Sequence, residues 1–131
     1  MYVLFIDDSC GARAPIAEAL LRHIAPWHEG AGVGWVPSHV RQEVRDVLAE
    51  LRVNADGIRA KGLSSAALNE VEIVVRFVPD EGRLRVPGSA RMLSWMLPDP
   101  LSAPPGERLE AFRAARDEIE RRLRKLVEEL G

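Results

Sequence analysis

Two aspartates and an arginine lie close together near the start of the sequence, in the segment DDSCGAR at residues 7–13. The segment follows an apolar, strand-like run at residues 2–6 and leads into an amphipathic stretch. Backbone N–H groups at the start of a helix bind anions, and an arginine adds a bidentate partner for phosphate or arsenate. The pattern therefore predicts an oxyanion-binding loop closed by Arg13. Asp7 and Asp8 are unexpected there, because their own carboxylates carry the negative charge that the start of a helix usually binds from a ligand.

The elements that must position this loop alternate between strands and helices. Apolar runs predict strands at residues 2–6, 33–36, 72–78 and 90–97, and helical periodicity predicts helices at 14–25, 40–51 and 106–130, with a short helix possible from Ser64. Alternating strands and helices indicate an α/β fold with an open parallel sheet. Ligands of such sheets gather at the carboxyl ends of the strands, where both the 7–13 loop and Asp99 are expected.

Length and composition exclude several classes of protein. The 131 residues, of net charge −2, predict a single domain covering 1–131. Scattered charges of both signs predict no nucleic-acid partner and no membrane partner. The single cysteine, Cys10, excludes an intramolecular disulfide and a cysteine-rich zinc site, and we expect no metal and no cofactor. Without an apolar leader or a membrane-spanning run, a cytoplasmic location is the default expectation.

Two long segments resemble one known family. Residues 3–23, VLFIDDSCGARAPIAEALLRH, look like the opening of the low-molecular-weight protein tyrosine phosphatase and arsenate reductase family, where a strand leads into Cys-x5-Arg-Ser/Thr-Pro and a helix. Residues 95–130 are similar to that family's tryptophan, its Asp-Pro general-acid loop and its closing helix. No tyrosine follows Asp99 and Pro100, so the arsenate reductase branch fits better. We therefore predict a four-stranded parallel sheet of order 2-1-3-4, flanked by helices.

The resemblance implies catalytic positions for Asp7, Arg13 and Asp99, but it also exposes a departure. Counting back from Arg13 with the family's spacing places the nucleophilic cysteine at position 7, which is Asp7 here, whereas Cys10 lies only three residues before the arginine. The rest of the predicted anion loop comprises Asp8, Ser9, Cys10, Gly11, Ala12 and Ala14. Asp8 and the serine after it replace a small residue and a glycine, and Ala14 replaces a hydroxyl. We expect the Asp7 carboxylate to pair with Arg13 as a built-in anion.

Three functions remain open at this point. The first is an arsenate reductase-like or phosphatase-like protein with a degenerate loop, weakly active or inactive, which acts in binding or regulation; phosphate, arsenate or a phosphorylated molecule is its possible ligand, and its protein partner is unknown. The second is a still-active enzyme of either kind. The third is a receiver-like phosphoacceptor domain, since VLFIDDS also resembles a receiver's first strand. That class requires a carboxylate after strand three and a lysine after strand five.

Overall fold

The computed structural model describes residues 1–8, 11–36, 38–63, 67–80, 82 and 84–131. Its four strands form one parallel sheet in the order β2-β1-β3-β4: β1 (Tyr2–Asp7), β2 (Glu29–Gly34), β3 (Ile73–Arg76) and β4 (Arg91–Ser94). The α-helices of the described residues are α1 (Arg13–Ile24), α2 (Gln42–Glu50) and α3 (Arg108–Leu130), with 3₁₀ helices at Leu68–Glu70, Pro100–Ser102 and Pro105–Glu107. The predicted fold, sheet order and flanking helices are confirmed. The short helix predicted from Ser64 begins outside the described residues.

The two faces of the sheet are covered differently. Because side chains alternate along a strand, Val3 and Phe5 of β1 point to one face and Leu4 and Ile6 to the other. The first face packs against apolar side chains from α1, α2 and α3, and together they form the larger core cluster. The second face packs against residues of the connecting segments, among them Leu68 of the first 3₁₀ helix. The three described α-helices thus contribute to one core on the same face of the sheet.

β2 starts earlier than its apolar residues suggest, because four residues of its EGAG portion lie in the sheet before Val33. These residues pair with β1, and α1 packs closely against one of them. A Cβ atom on Gly32 would lie 2.7 Å from the backbone oxygen of Ala14, so this position leaves no space for a side chain. The glycine therefore lets the first turn of α1 lie directly against the strand. This contact positions the start of the helix, where Arg13 lies.

The free edge of β2 is held by α1 as well as by the neighbouring loop. The backbone N–H of Gly32 donates a hydrogen bond to the carboxylate of Glu18, with the nitrogen 2.6 Å from Oε1. The same oxygen accepts from Lys61 Nζ at 2.9 Å, and Gly34 forms an isolated parallel bridge with Gly62. The bond to Glu18 gives a partner to the Gly32 amide, which points away from β1 and has no neighbouring strand on that side.

Candidate functional site

Asp7 and Arg13 meet at the junction of β1 and α1. Asp7 is the last residue of the strand, Arg13 the first of the helix, and each is only 4% exposed. The guanidinium of Arg13 binds the carboxylate with two hydrogen bonds, from Nη2 to Oδ1 at 2.6 Å and from Nε to Oδ2 at 3.1 Å. The pair is therefore a buried, bidentate ion pair of the kind that gives strong charge-assisted hydrogen bonds.

Two backbone amides complete the surroundings of the Asp7 carboxylate. The N–H of Asp8 donates to Oδ1 at 2.8 Å, and the N–H of Arg13 donates to Oδ2 at 3.0 Å. A carboxylate offers about four acceptor positions, so these four bonds use them all. The N-cap residue of α1, Ala12, makes no side-chain capping bond. Asp7 instead satisfies the first free N–H of the helix, at its positive end.

The guanidinium of Arg13 has two further contacts that the sequence did not reveal. Its Nη1 donates to the backbone oxygen of Leu97 at 2.6 Å, and its Cζ lies 5.8 Å from the ring centroid of Phe77. The Phe77 ring in turn meets Trp95 edge-on, with centroids 6.3 Å apart. Phe77 follows β3 and Leu97 follows β4, so the ends of three strands hold one guanidinium. In the sequence, the only signal for this role was the place of Phe77 and Leu97 near the carboxyl ends of the strands predicted at 72–78 and 90–97.

Asp99 lies at the same end of the sheet, as the sequence predicted. Its Oδ2 is 4.0 Å from Nη2 of Arg13, and its side chain is 30% exposed. Its Oδ1 accepts from the backbone N–H of Leu101 at 3.0 Å and so caps the 3₁₀ helix Pro100–Ser102. The residue therefore has a structural capping role and a position from which its second oxygen faces the Arg13 guanidinium.

The other described residues of the predicted loop differ in their exposure to solvent. Gly11, Ala12 and Ala14 are buried, and the Gly11 oxygen accepts from the backbone N–H of Arg41 at 3.1 Å, which ties the loop to the start of α2. Asp8 is exposed. Ser9 and Cys10 fall outside the described residues. The loop predicted from sequence thus places two charged side chains, those of Asp7 and Arg13, in direct contact.

Within the described ranges, no group of three or more histidine, cysteine, aspartate or glutamate side chains is arranged to hold a metal ion. Across the same ranges, none of the helices combines the length and the apolar character needed to cross a bilayer.

The sequence matches the model of the low molecular weight phosphotyrosine protein phosphatase family over residues 2–131. The chain belongs to this family. Solved structures with a similar fold include an arsenate reductase from Archaeoglobus fulgidus, with 26% identity and a TM-score of 0.76 over 96% of this chain and 98% of that one. The tyrosine phosphatase Wzb from Escherichia coli K30, in complex with sulphate, has 21% identity and a TM-score of 0.82 over 99% and 98% of the two chains.

A third similar structure is the YwlE arginine phosphatase from Geobacillus stearothermophilus, with 24% identity and a TM-score of 0.80 over 98% of this chain and 92% of that one. No curated protein sequence matches this family member significantly. The receiver-like alternative loses its support here. It requires a fifth strand, whereas the sheet of the described residues has four, and β3 ends at Arg76.

Proposed function

We propose that this member of the phosphatase family has an oxyanion loop closed by its own Asp7, and that it acts in binding or regulation with little or no turnover. One observation carries the proposal: from the described residues the Asp7 carboxylate accepts four hydrogen bonds, three from Arg13 and one from the backbone of Asp8. Guanidinium and helix-terminal N–H groups are the donors that would bind phosphate or arsenate. Here they are already engaged by a carboxylate.

Electrostatics adds a barrier to a second anion at this position. Two like unit charges 4 Å apart repel by about 4 kcal/mol at the effective dielectric constant typical of a protein near its surface. A phosphate or arsenate beside Asp7 would meet this repulsion and would also compete for Arg13. The chemistry that the family resemblance implies, attack by a thiolate, has no cysteine at the corresponding position, and both carboxylate oxygens of Asp7 are bound.

Calorimetric titration with arsenate and with phosphate tests the proposal. We expect no measurable binding by the parent protein, and binding by Asp7→Ala and Asp7→Cys, because the donors of Arg13 become available. Asp46→Ala is the matched control, since it removes an exposed aspartate on α2 that accepts a hydrogen bond from Gln42. Binding by the parent as tight as by the variants would refute the closed loop. So would the absence of binding by a variant that circular dichroism shows to be folded.

A second function is favoured by Asp99. Its Oδ2 lies 4.0 Å from the Arg13 guanidinium, where a carboxylic acid is placed to protonate a leaving group on a bound oxyanion. The chain would then be an active phosphatase or arsenate reductase. The assay is turnover of an aryl phosphate, together with arsenate reduction by several thiol donors. Robust activity that is lost in Asp99→Asn, which keeps an oxygen for the Leu101 cap, would replace the first proposal.

We further propose the setting in which this site works. The ligand is phosphate, arsenate or a phosphorylated molecule, a class supported by the sulphate held by Wzb, which shares the fold. A single domain without a cofactor, a nucleic-acid partner or a membrane partner, located in the cytoplasm, agrees with the length and with the mixed charge of net −2. The protein partner of a regulatory role stays unidentified.

A further inference from the structure

Two carboxylates lie beside the same nitrogen of the Arg13 guanidinium. Nη2 is 2.6 Å from Oδ1 of Asp7 and 4.0 Å from Oδ2 of Asp99. The first contact is a hydrogen bond, whereas the second is about 1 Å longer than one. Nη2 carries two N–H groups, and Asp7 accepts one of them. Arg13 therefore has a second carboxylate close to a nitrogen that its first partner does not use fully.

The contacts of Asp99 leave one of its oxygens without a hydrogen bond. Oδ1 accepts from the backbone N–H of Leu101, whereas Oδ2 accepts none from the part of the chain that the structure describes. The residue lies between Pro98 and Pro100, whose rings restrict the backbone on both sides, and Pro100 is buried. The free oxygen is therefore held beside the guanidinium by a stiff segment.

Arg13 is itself anchored to this segment by contacts that do not involve Asp7. Its Nη1 donates to the backbone oxygen of Leu97 at 2.6 Å, two residues before Asp99, and its Cζ lies 5.8 Å from the ring centroid of Phe77. The side chain is only 5% exposed, and a buried charge without a partner is costly. If Asp7 released it, the guanidinium would stay near Leu97, where Asp99 is the other described carboxylate within 4.0 Å.

We propose that Asp99 pairs with Arg13 whenever Asp7 is displaced, so that the loop has two internal anions that act in turn. Closing the gap of about 1 Å turns the contact between Nη2 and Oδ2 into a charge-assisted hydrogen bond, while Oδ1 keeps its bond to Leu101. An oxyanion that enters the loop must then displace both carboxylates. This role of Asp99 rests on the proposed closure of the loop by Asp7 and regulates the same site.

A crystal structure of Asp7→Ala, grown without phosphate, sulphate or arsenate, tests the pairing directly. We expect Nη2 of Arg13 to lie within about 3.2 Å of Oδ2 of Asp99, with the contacts to Leu97 and Leu101 preserved. Asp7→Asn, which removes the charge and keeps the volume of the side chain, is the second variant for this measurement. A separation that stays at the 4.0 Å of the parent, or grows, in a folded variant would overturn the proposal.

Calorimetry with arsenate measures the consequence for binding. Asp99→Asn, added to Asp7→Ala, removes the competing charge and keeps an oxygen for the Leu101 cap. Asp46→Asn, added to the same variant, makes the same change in charge at an exposed position of α2. We expect Asp99→Asn to raise the affinity about fivefold, because one charge-assisted hydrogen bond no longer competes with the ligand, and Asp46→Asn to leave it unchanged. Equal affinities of the three proteins, or an equal gain from both additions, would overturn the proposal.

The two measurements separate this role of Asp99 from the closure by Asp7. An increase in affinity without the shortened distance would show that Asp99 only repels the ligand, which would overturn the pairing. Tight arsenate binding by the parent would refute the closed loop and, with it, a second internal anion. Binding by Asp7→Ala that Asp99→Asn does not change would leave the closed loop in place and overturn the pairing alone.

Discussion

Two of the bidentate arginine–carboxylate pairs among the described residues lie in opposite surroundings. In the pair Asp7–Arg13, each side chain is 5% exposed. In the pair Glu50–Arg113, which joins α2 to α3, each side chain is 35% exposed. The donors are the same in both, Nε and one terminal nitrogen of the guanidinium. The difference between the two pairs is therefore the access of water and not the chemistry of the groups.

This difference separates a site from a stabilising contact. A buried ion pair must be taken out of water, and replacing it by apolar residues of similar volume is often neutral or favourable for stability. An exposed pair is largely solvated, loses little on folding and contributes correspondingly little. The burial of Asp7 and Arg13 is thus better explained by the shape and charge of the loop than by the stability of the fold.

The largest expected effect comes from breaking the buried pair on one side. Arg13→Met leaves the Asp7 carboxylate buried without its main partner, and we expect the free energy of unfolding to fall by about 3–5 kcal/mol. The double variant Asp7→Leu/Arg13→Met removes both charges and should regain most of that loss. Urea unfolding of the two variants and the parent measures both values. A double variant as unstable as Arg13→Met would show that the buried pair itself stabilises the fold.

An intermediate effect is expected at Arg116. It also pairs with Glu50, the carboxylate of the exposed pair, but is itself only 8% exposed. Its Nη1 donates to the backbone oxygen of Val47 at 2.9 Å and to Glu50 at 2.6 Å. Arg116→Met should lower the free energy of unfolding by about 1–3 kcal/mol, because a buried carbonyl and a carboxylate lose a charged donor. Arg124→Met, at an exposed position of α3, is the control for urea unfolding. An equal effect of the two substitutions would contradict this assignment.

The smallest effect concerns the exposed pair and appears as a dependence on pH. Hydrogen bonds from Arg113 and Arg116 lower the pKa of Glu50 from 4.5 to about 2. Because the folded-state pKa lies below the unfolded one, the stabilisation is complete above pH 4.5 and is lost as the pH falls toward 2. We therefore expect the stability difference between the parent and Glu50→Gln to shrink across this window.

Thermal unfolding at a series of pH values measures that difference. Glu128→Gln, which makes the same charge change on α3, serves as the reference. A difference between the parent and Glu50→Gln that stays constant from pH 4.5 down toward 2 would show that the bonds to Arg113 and Arg116 do not persist in solution.

The sequence was sufficient for the parts of the site that are close along the chain. A buried strand, a short loop and a helix with a proline in its first turn fixed where Asp7 and Arg13 would lie, and six residues of separation brought them together. The contact between Arg13 and Leu97 joins residues 84 positions apart and uses a backbone oxygen. Any residue type can supply such an oxygen, so no sequence pattern marks it.

The start of β2 was missed for a different reason. Glycines have little intrinsic preference for strands, so EGAG gave no strand signal. Position 32 has no space for a side chain because the backbone oxygen of Ala14 in α1 would lie 2.7 Å from its Cβ, a constraint that exists only once the helix has packed. The end of β4 also differs: the apolar run continues to Leu97, but the strand ends at Ser94, where the chain turns toward Arg13.

The hydrogen bond from Gly32 to Glu18 has a consequence for self-association. An unprotected outer strand can pair with the outer strand of another molecule, and proteins suppress this by charge or by covering the edge. On β2, the carboxylate of Glu18 accepts an outward-facing N–H, while Lys61 and the bridge from Gly34 to Gly62 occupy the adjoining positions. The outer edge of β2 is thus covered at Gly32 and Gly34, which disfavours the addition of a strand from another molecule at these positions.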